Sequence, residues 1–310
     1  MALVAAVLLA TVGCQREPAG PEFDGFWLTA PQTDQQRVEL LRRARNIDPC
    51  ALIPRAALGE TGPVDTVFSA GPQTCEAKVG VSDTSLGRLV RWWLSGPKST
   101  PVTDKGVTKQ IDGVTVLLSN NLDADPEWQP NPRVATTCTV SARFPSTIGL
   151  ALSVDMPAGT DPCVAGESLI RTALSEWKNE PQQGVSPDTS KTVLTGADPC
   201  AVVPRLGVSE SVGDVHLEQC SFRFQGDDIR LDYEYESEDL VTSDDSYTIG
   251  DRPIYRKAVQ GFLFYDAPVG PAVKGSGGQY RSPLVPVIAL SGTNQAALDE
   301  VMRQTQALLG

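Results

Sequence analysis

The segment Asp48-Pro-Cys-Ala-Leu-Ile-Pro-Arg55 recurs as Asp198-Pro-Cys-Ala-Val-Val-Pro-Arg205, with six identities in eight positions and two conservative exchanges. In each copy a second cysteine follows and opens an alternating stretch: Cys75, Ala77, Val79 and Val81 in the first, Cys220, Phe222 and Phe224 in the second. Alternation with period two marks a half-buried strand. Aspartate accepts from free backbone N–H groups and proline lacks one, so Asp-Pro is a favourable cap and first helical residue. Each Asp-Pro-Cys therefore predicts a short helix followed by a strand. A chain of 310 residues has room for about two ordinary domains, and the repeat divides it into two.

The chain has seven cysteines. Setting Cys14 aside leaves Cys50, Cys75, Cys138, Cys163, Cys200 and Cys220, an even set that can pair. The repeat narrows the pairing, because joining each helix opening to its following strand gives Cys50 with Cys75 and Cys200 with Cys220. Cys138 and Cys163 remain. Closing loops of this size is worth ~3 kcal/mol each in the chain-entropy model.

Cys163 lies in a third Asp161-Pro-Cys, which predicts a helix with Leu169, Ile170, Ala173, Leu174 and Trp177 on one face. The second copy ends alike, with Thr293 or Asn294 as cap and Leu298, Val301, Thr305 and Leu308 as the stripe, but without cysteines. Between the opening and closing helices, strand patterns run over 107–119, 137–144 and 148–155 in the first copy. In the second they run over 228–236, 253–266 and 284–291. The fold class expected is α+β: two tandem similar domains, each a curved antiparallel sheet with a short N-terminal helix and a longer C-terminal helix, stapled by disulfides. The expected boundaries are a leader at 1–14, a tether at 15–35, a first repeat at 36–180, a linker at 181–193 and a second repeat at 194–310. Helical spacing of Val38, Leu40, Leu41 and Ala44 sets the start of the first repeat, with Phe26, Trp27 and Leu28 as upstream candidates to dock.

Residues 1–13 are an apolar run that stops at Gly13-Cys14 and gives way to Gln15-Arg16-Glu17. The run, roughly a dozen residues, is too short for a retained span and reads as a signal h-region. A small residue before cysteine at that point resembles a bacterial lipobox, which implies diacylglycerol on Cys14 and a mature chain that begins there. Each buried methylene would contribute ~0.8 kcal/mol, and two or three chains anchor stably. Export would place the other thiols where disulfides persist. The expected location is the extracytoplasmic face of the cell membrane.

The leader, the lipobox-like cysteine, the Asp-Pro-Cys-Ala-Leu-Ile opening and the cysteine-initiated strand with a closing helix resemble a family of actinobacterial lipoproteins known as a domain of unknown function. The resemblance covers residues 44–310 as two tandem copies. It implies an actinobacterial envelope, a lipid anchor and an α+β module, and it transfers no catalytic or binding residue.

Lys and Arg number 26 against 38 Asp and Glu, a net charge of −12 that repels phosphate backbones and argues against nucleic acid as a partner. The lone histidine, His216, argues against a multi-histidine metal site and reads as a disulfide neighbour at a strand or loop edge. The cysteine spacings are far wider than those of zinc sites. Gly275-Ser-Gly-Gly278 lacks the Lys-Ser/Thr ending of a phosphate loop and reads as a hairpin or loop. In Asn121-Leu-Asp-Ala-Asp125, Pro126 stands where a calcium loop requires glycine. Neither a cofactor nor a metal is expected.

Two stretches carry more information. Asp227–Glu236 alternates strictly, with Ile229, Leu231, Tyr233 and Tyr235 on one face and Arg230, Asp232, Glu234 and Glu236 on the other. The charged face is expected to be exposed; with Glu238, Asp239, Asp244 and Asp245 it suits a cation or a basic partner, or else is a solvated sheet face. Arg91-Trp-Trp-Leu94 offers an aromatic platform, or one core indole with the other at an edge. The function expected is a non-catalytic binding or interaction module, held to the membrane through Cys14 and engaging an envelope protein or cell-wall component. Two further readings are a carrier or sensor of a small apolar or lipidic ligand, lined by Val116, Leu118, Leu150 and Leu152, and a wall hydrolase using carboxylates.

Overall fold

The computed structural model describes residues 22–80, 88–96, 105–121, 136–157, 160–208, 216–243, 245–250, 252–274 and 282–310. The chain is α+β and consists mostly of two antiparallel sheets. It opens with α1 (Asp34–Arg45), whose Thr33 and Gln36 form a reciprocal capping box and whose last turn holds Arg42, Arg43 and Arg45. Acid at the start and base at the end both suit the helix dipole.

The short helices α2 (Pro49–Leu52) and α3 (Arg55–Gly59) follow, with Asp48 accepting from the Cys50 N–H at 3.0 Å. The first sheet holds β1 (Val64–Gly71), β2 (Thr74–Val79), β3 (Arg88–Ser95), β4 (Val107–Ile111), β5 (Val114–Asn120), β6 (Thr136–Arg143) and β7 (Gly149–Met156). Its order is β1-β2-β3-β7-β6-β5-β4. Helix α4 (Pro162–Trp177) then crosses one face with Leu169, Ile170, Ala173, Leu174 and Trp177 buried. Gly166 allows the close approach, since a Cβ there would meet Val140 Cγ2 at 2.8 Å.

The second Asp-Pro-Cys opens a 3-10 helix (Pro199–Leu206), stopped by Gly207 in the left-handed region. Its sheet holds β8 (Gln219–Phe224), β9 (Asp227–Ser237), β10 (Asp245–Ile249), β11 (Arg252–Val259), β12 (Phe262–Pro268) and β13 (Leu284–Gly292). The one-turn helix α5 (Glu238–Val241) sits between β9 and β10, and α6 (Gln295–Leu309), capped by Asn294, closes the chain. The order is β10-β11-β12-β13-β9-β8. Read from β8 it runs 8-9-13-12-11-10, and the first sheet read from β2 runs 2-3-7-6-5-4. The connectivity is the same with every strand number raised by six, and β1 is an added edge.

Three disulfides join Cys50 to Cys75, Cys138 to Cys163 and Cys200 to Cys220. Such bridges fit an oxidising, extracytoplasmic environment. Among the described residues no helix is long and apolar enough to cross a membrane.

Several expectations change. The patterns at 107–119 and 253–266 are each two strands, folded back at Asp112-Gly113 and Gln260-Gly261, all four residues having positive φ. Strands β1, β3 and β10 lie outside the expected strand list. The described part of the expected tether, residues 22–33, packs on the first sheet: Phe23 and Trp27 are buried, and Trp27 stands edge-on to Trp177 at 5.2 Å between ring centres. The expected linker is pinned as a strap. Ser186 N and Thr189 Oγ1 donate to buried Asp48 at 3.0 and 2.6 Å, Ser190 N donates to Ser69 Oγ, and Arg55 pairs with Asp188. Its polar groups are satisfied by partners remote in sequence, which an apolar pattern does not reveal. Buried apolar residues of both halves also form one contiguous cluster, from Phe23 to Met302.

Candidate functional site

The two halves meet where α1 ends. Arg45, 2% exposed, donates from Nε to Leu217 O at 3.0 Å and from Nη2 to His216 O at 2.9 Å, and it lies 3.1 Å from Asp198 Oδ1. Asp198 also accepts from the Cys200 N–H, so one carboxylate caps the repeat motif and ties it to α1. Beside this joint Glu218 Oε1 accepts from Gln73 N at 2.8 Å, while Gln73 Nε2 donates to Arg45 O. Burial pushes the Glu218 carboxyl up to about 7, helped by Asp232 and opposed by the Gln73 hydrogen bond and Arg91.

From the joint the second sheet presents two unlike faces. The inner one carries Ile229, Leu231, Tyr233 and Tyr265, all buried, and α6 packs on this sheet. Register defines rows across the outer one. Arg230 is opposite Ser291, Phe264 and Lys257 in turn; the next row is Asp232, Ala289, Asp266 and Tyr255; the next is Glu234, Val287 and Pro268. Arg230 donates to both oxygens of Asp232 at 2.7 and 3.0 Å. Glu234 is half-buried and has no hydrogen-bond or ion-pair partner among the described residues. Burial, then repulsion from Asp232, Asp266, Glu236 and Glu218, pushes its carboxyl up to about 7. The charged face is thus less exposed than its alternation suggests, because the long neighbouring side chains and α5 partly cover it.

The other sequence candidates lie elsewhere. Cys14, Gly275–Gly278 and Val81 are outside the described residues, as are Asp244 and all of Asn121–Asp125 except Asn121, whose Oδ1 accepts from Thr137 N. His216 holds the joint through its backbone, its N–H donating to Gln219 O and its carbonyl accepting from Arg45. Trp92 is a core indole donating to Pro49 O at 2.6 Å, and Trp93 is half-buried on the opposite face. Val116, Leu150 and Leu152 are buried in the first core; Leu118 borders a surface cleft of about 460 Å³ with Val107, Lys109, Val164 and Glu167. Among the described residues no group of His, Cys, Asp and Glu is placed to hold a metal ion. Arg45 and Glu218 went unnoticed in sequence; a basic residue at a helix end and a glutamate beside a strand are both commonplace.

No protein family matches the chain, and no curated protein is similar to it. Among solved structures it is similar to the crystal structure of the di-domain ARO/CYC StfQ from the steffimycin biosynthetic pathway, at 10% identity and a TM-score of 0.15 over 85% of this chain and 89% of that one. A likeness at that score carries no argument about fold or function.

Proposed function

We propose that this protein is a lipid-anchored, extracytoplasmic interaction module, built from two copies of one α+β domain and held to the cell membrane through Cys14. The observation that carries the reading is the pair of sheets with matching strand order, each with a face turned away from its closing helix. Two linked surfaces raise the effective concentration for a repeated or extended partner. The disulfides support a location outside the cytosol, and the apolar leader ending at Cys14 supports the anchor. The partner class is an envelope protein or cell-wall component, and no catalytic step is assigned. The test is chemical cross-linking in living cells, comparing the protein with its Cys14→Ala variant. Membrane retention that requires Cys14, together with specific envelope partners, supports the proposal; no enrichment over an unrelated lipidated protein refutes it.

A second reading, carriage of a small apolar molecule with one polar group, rests on the cleft at Val107, Leu118 and Val164, which the Lys109–Glu167 pair borders. Native mass spectrometry of the purified protein distinguishes the two, since a carrier shows adducts of ligand mass.

A further inference from the structure

The cysteines of the three bridges differ in exposure. Cys50, Cys75, Cys138, Cys200 and Cys220 are buried, whereas Cys163 is half-buried. Cys163 stands at the start of α4 and lines the surface cleft of about 460 Å³ that this helix forms with β4 and β5. Val107, Leu118 and Val164 supply the apolar lining, and the two valines are 59% and 69% exposed. Lys109 of β4 pairs with Glu167 of α4, which also pairs with Arg171. Asp161, exposed, accepts from the Cys163 N–H at 2.9 Å and gives the cleft an acidic edge.

The bridge from Cys138 to Cys163 is also the one that the repeat does without. In the second module α6 is capped by Asn294 and buries Leu298, Val301 and Met302, and neither the helix nor its cap holds a cysteine. Helix α4 is held in the same way, by Leu169, Ile170, Ala173, Leu174 and Trp177 and by the Lys109–Glu167 pair. Apolar burial keeps each closing helix on its sheet, so opening Cys138–Cys163 leaves the first module folded. The other two bridges recur in both copies and tie each Asp-Pro-Cys turn to the strand after it.

We infer that Cys138–Cys163 is an exchangeable disulfide, open through this cleft to a low-molecular-weight thiol that carries an uncharged apolar group. The thiolate of that molecule attacks Cys163 Sγ, and the S–S bond breaks with its electron pair going to Cys138 Sγ. A mixed disulfide forms on Cys163, and the Cys138 thiolate takes up the proton that the incoming thiol gave up. One thiol and one disulfide become one thiol and one disulfide, so no further oxidant or reductant is needed. Return attack by Cys138 releases the molecule, which makes the capture reversible. The apolar group seats on Val107, Leu118 and Val164, and the acidic edge at Asp161 disfavours an anionic carrier. Burial of Cys138 under α4, with Gly166 close to its sulfur, directs the attack to Cys163. The inference goes beyond both readings above, neither of which has a covalent step, and it does not depend on Cys14.

The probe is benzyl mercaptan, added in excess to the full chain at pH 8, with 2-mercaptoethanesulfonate as the anionic counterpart. Acid quenching, N-ethylmaleimide and peptide mass mapping then report which sulfurs carry the thiol and which are free. The expected result is a benzyl adduct on Cys163 and maleimide on Cys138, formed about tenfold faster than either other bridge opens and about tenfold faster than the sulfonate adduct. Val107→Ser/Val164→Ser, both at exposed positions, should remove the preference for the benzyl thiol. Equal or faster opening of Cys50–Cys75 or Cys200–Cys220, a benzyl adduct on Cys138, or equal rates for the two thiols overturns the inference. Cys138→Ala/Cys163→Ala should stay folded by circular dichroism and take up no thiol. Unfolding of that variant shows that the bridge is structural and also overturns the inference. Benzyl mercaptan held equally by that variant in native mass spectrometry is non-covalent carriage, which leaves the second reading standing and removes the exchange.

Discussion

Arg45 Nη2 lies 3.1 Å from Asp198 Oδ1, so the carboxylate that caps the second Asp-Pro-Cys turn also binds the last turn of the first helix. Its counterpart Asp48 caps the first turn but spends its remaining lone pairs on Ser186 and Thr189 of the strap. The same motif thus closes each module locally and does different work beyond it.

Removing Arg45 strands two backbone carbonyls, Leu217 and His216, in a buried joint. Arg45→Met is expected to lower unfolding free energy by about 3 kcal/mol. Arg45→Lys keeps the charge but loses the planar fork, so it should fall between the two. Urea denaturation checks both; a methionine variant as stable as the parent would show that the joint is dispensable.

The two raised carboxyls set a pH trend. An acid that ionises at about 7 when folded, against an ordinary value of 4.5, binds more proton in the folded than in the unfolded state between those values. Stability is therefore greatest from these groups below pH ~4.5 and declines as pH rises through about 7. Melting curves at pH 5, 6, 7 and 8 should show the decline. Glu218→Gln and Glu234→Gln should each make it shallower.

Gly166 sits inside α4, where alanine would ordinarily gain up to ~1 kcal/mol of helix propensity. Here a Cβ would lie 2.8 Å from Val140 Cγ2 and within 3.9 Å of the Cys138 sulfur. Gly166→Ala is expected to destabilise by about 1–3 kcal/mol, because overpacking at a helix–sheet contact outweighs the propensity gain. A more stable variant would mean that α4 has room to move off β6.

Trp27 packs with Phe144 and Trp177, and its Nε1 donates to Glu180 at 2.8 Å. Trp27→Ala should cost about 3–5 kcal/mol, the range for a buried aromatic. Deleting residues up to 21 leaves this contact intact and should cost far less. Equal effects from the two changes would place Trp27 outside the cooperative core.

The cysteine pairing was legible because the repeat sets the same order twice, an Asp-Pro-Cys opening and then a cysteine in the strand that follows, Cys50 to Cys75 and Cys200 to Cys220. The stripes of α4 and α6 were legible from helical periodicity. Two hairpins were read as single strands because alternation continues on both sides of Asp112-Gly113 and Gln260-Gly261; Asp112-Gly113 is itself a hairpin signal in the sequence, whereas at Gln260-Gly261 the positive φ values mark the turn. The strap from Gln182 to Ser190 read as a linker because hydrogen bonds, which leave no periodic trace, hold it.

Local chemistry written in neighbouring residues settled the Asp-Pro helix openings, the alternating strands and which thiols share a module, since each depends on a few adjacent positions. Strand order, the grip of Arg45 on Asp198 and the crowding of carboxyls around Glu234 came only from the folded chain. Those depend on which remote segments share a sheet or a face, and the number of possible neighbours grows with chain length while the residues themselves carry no mark of the partner they will meet.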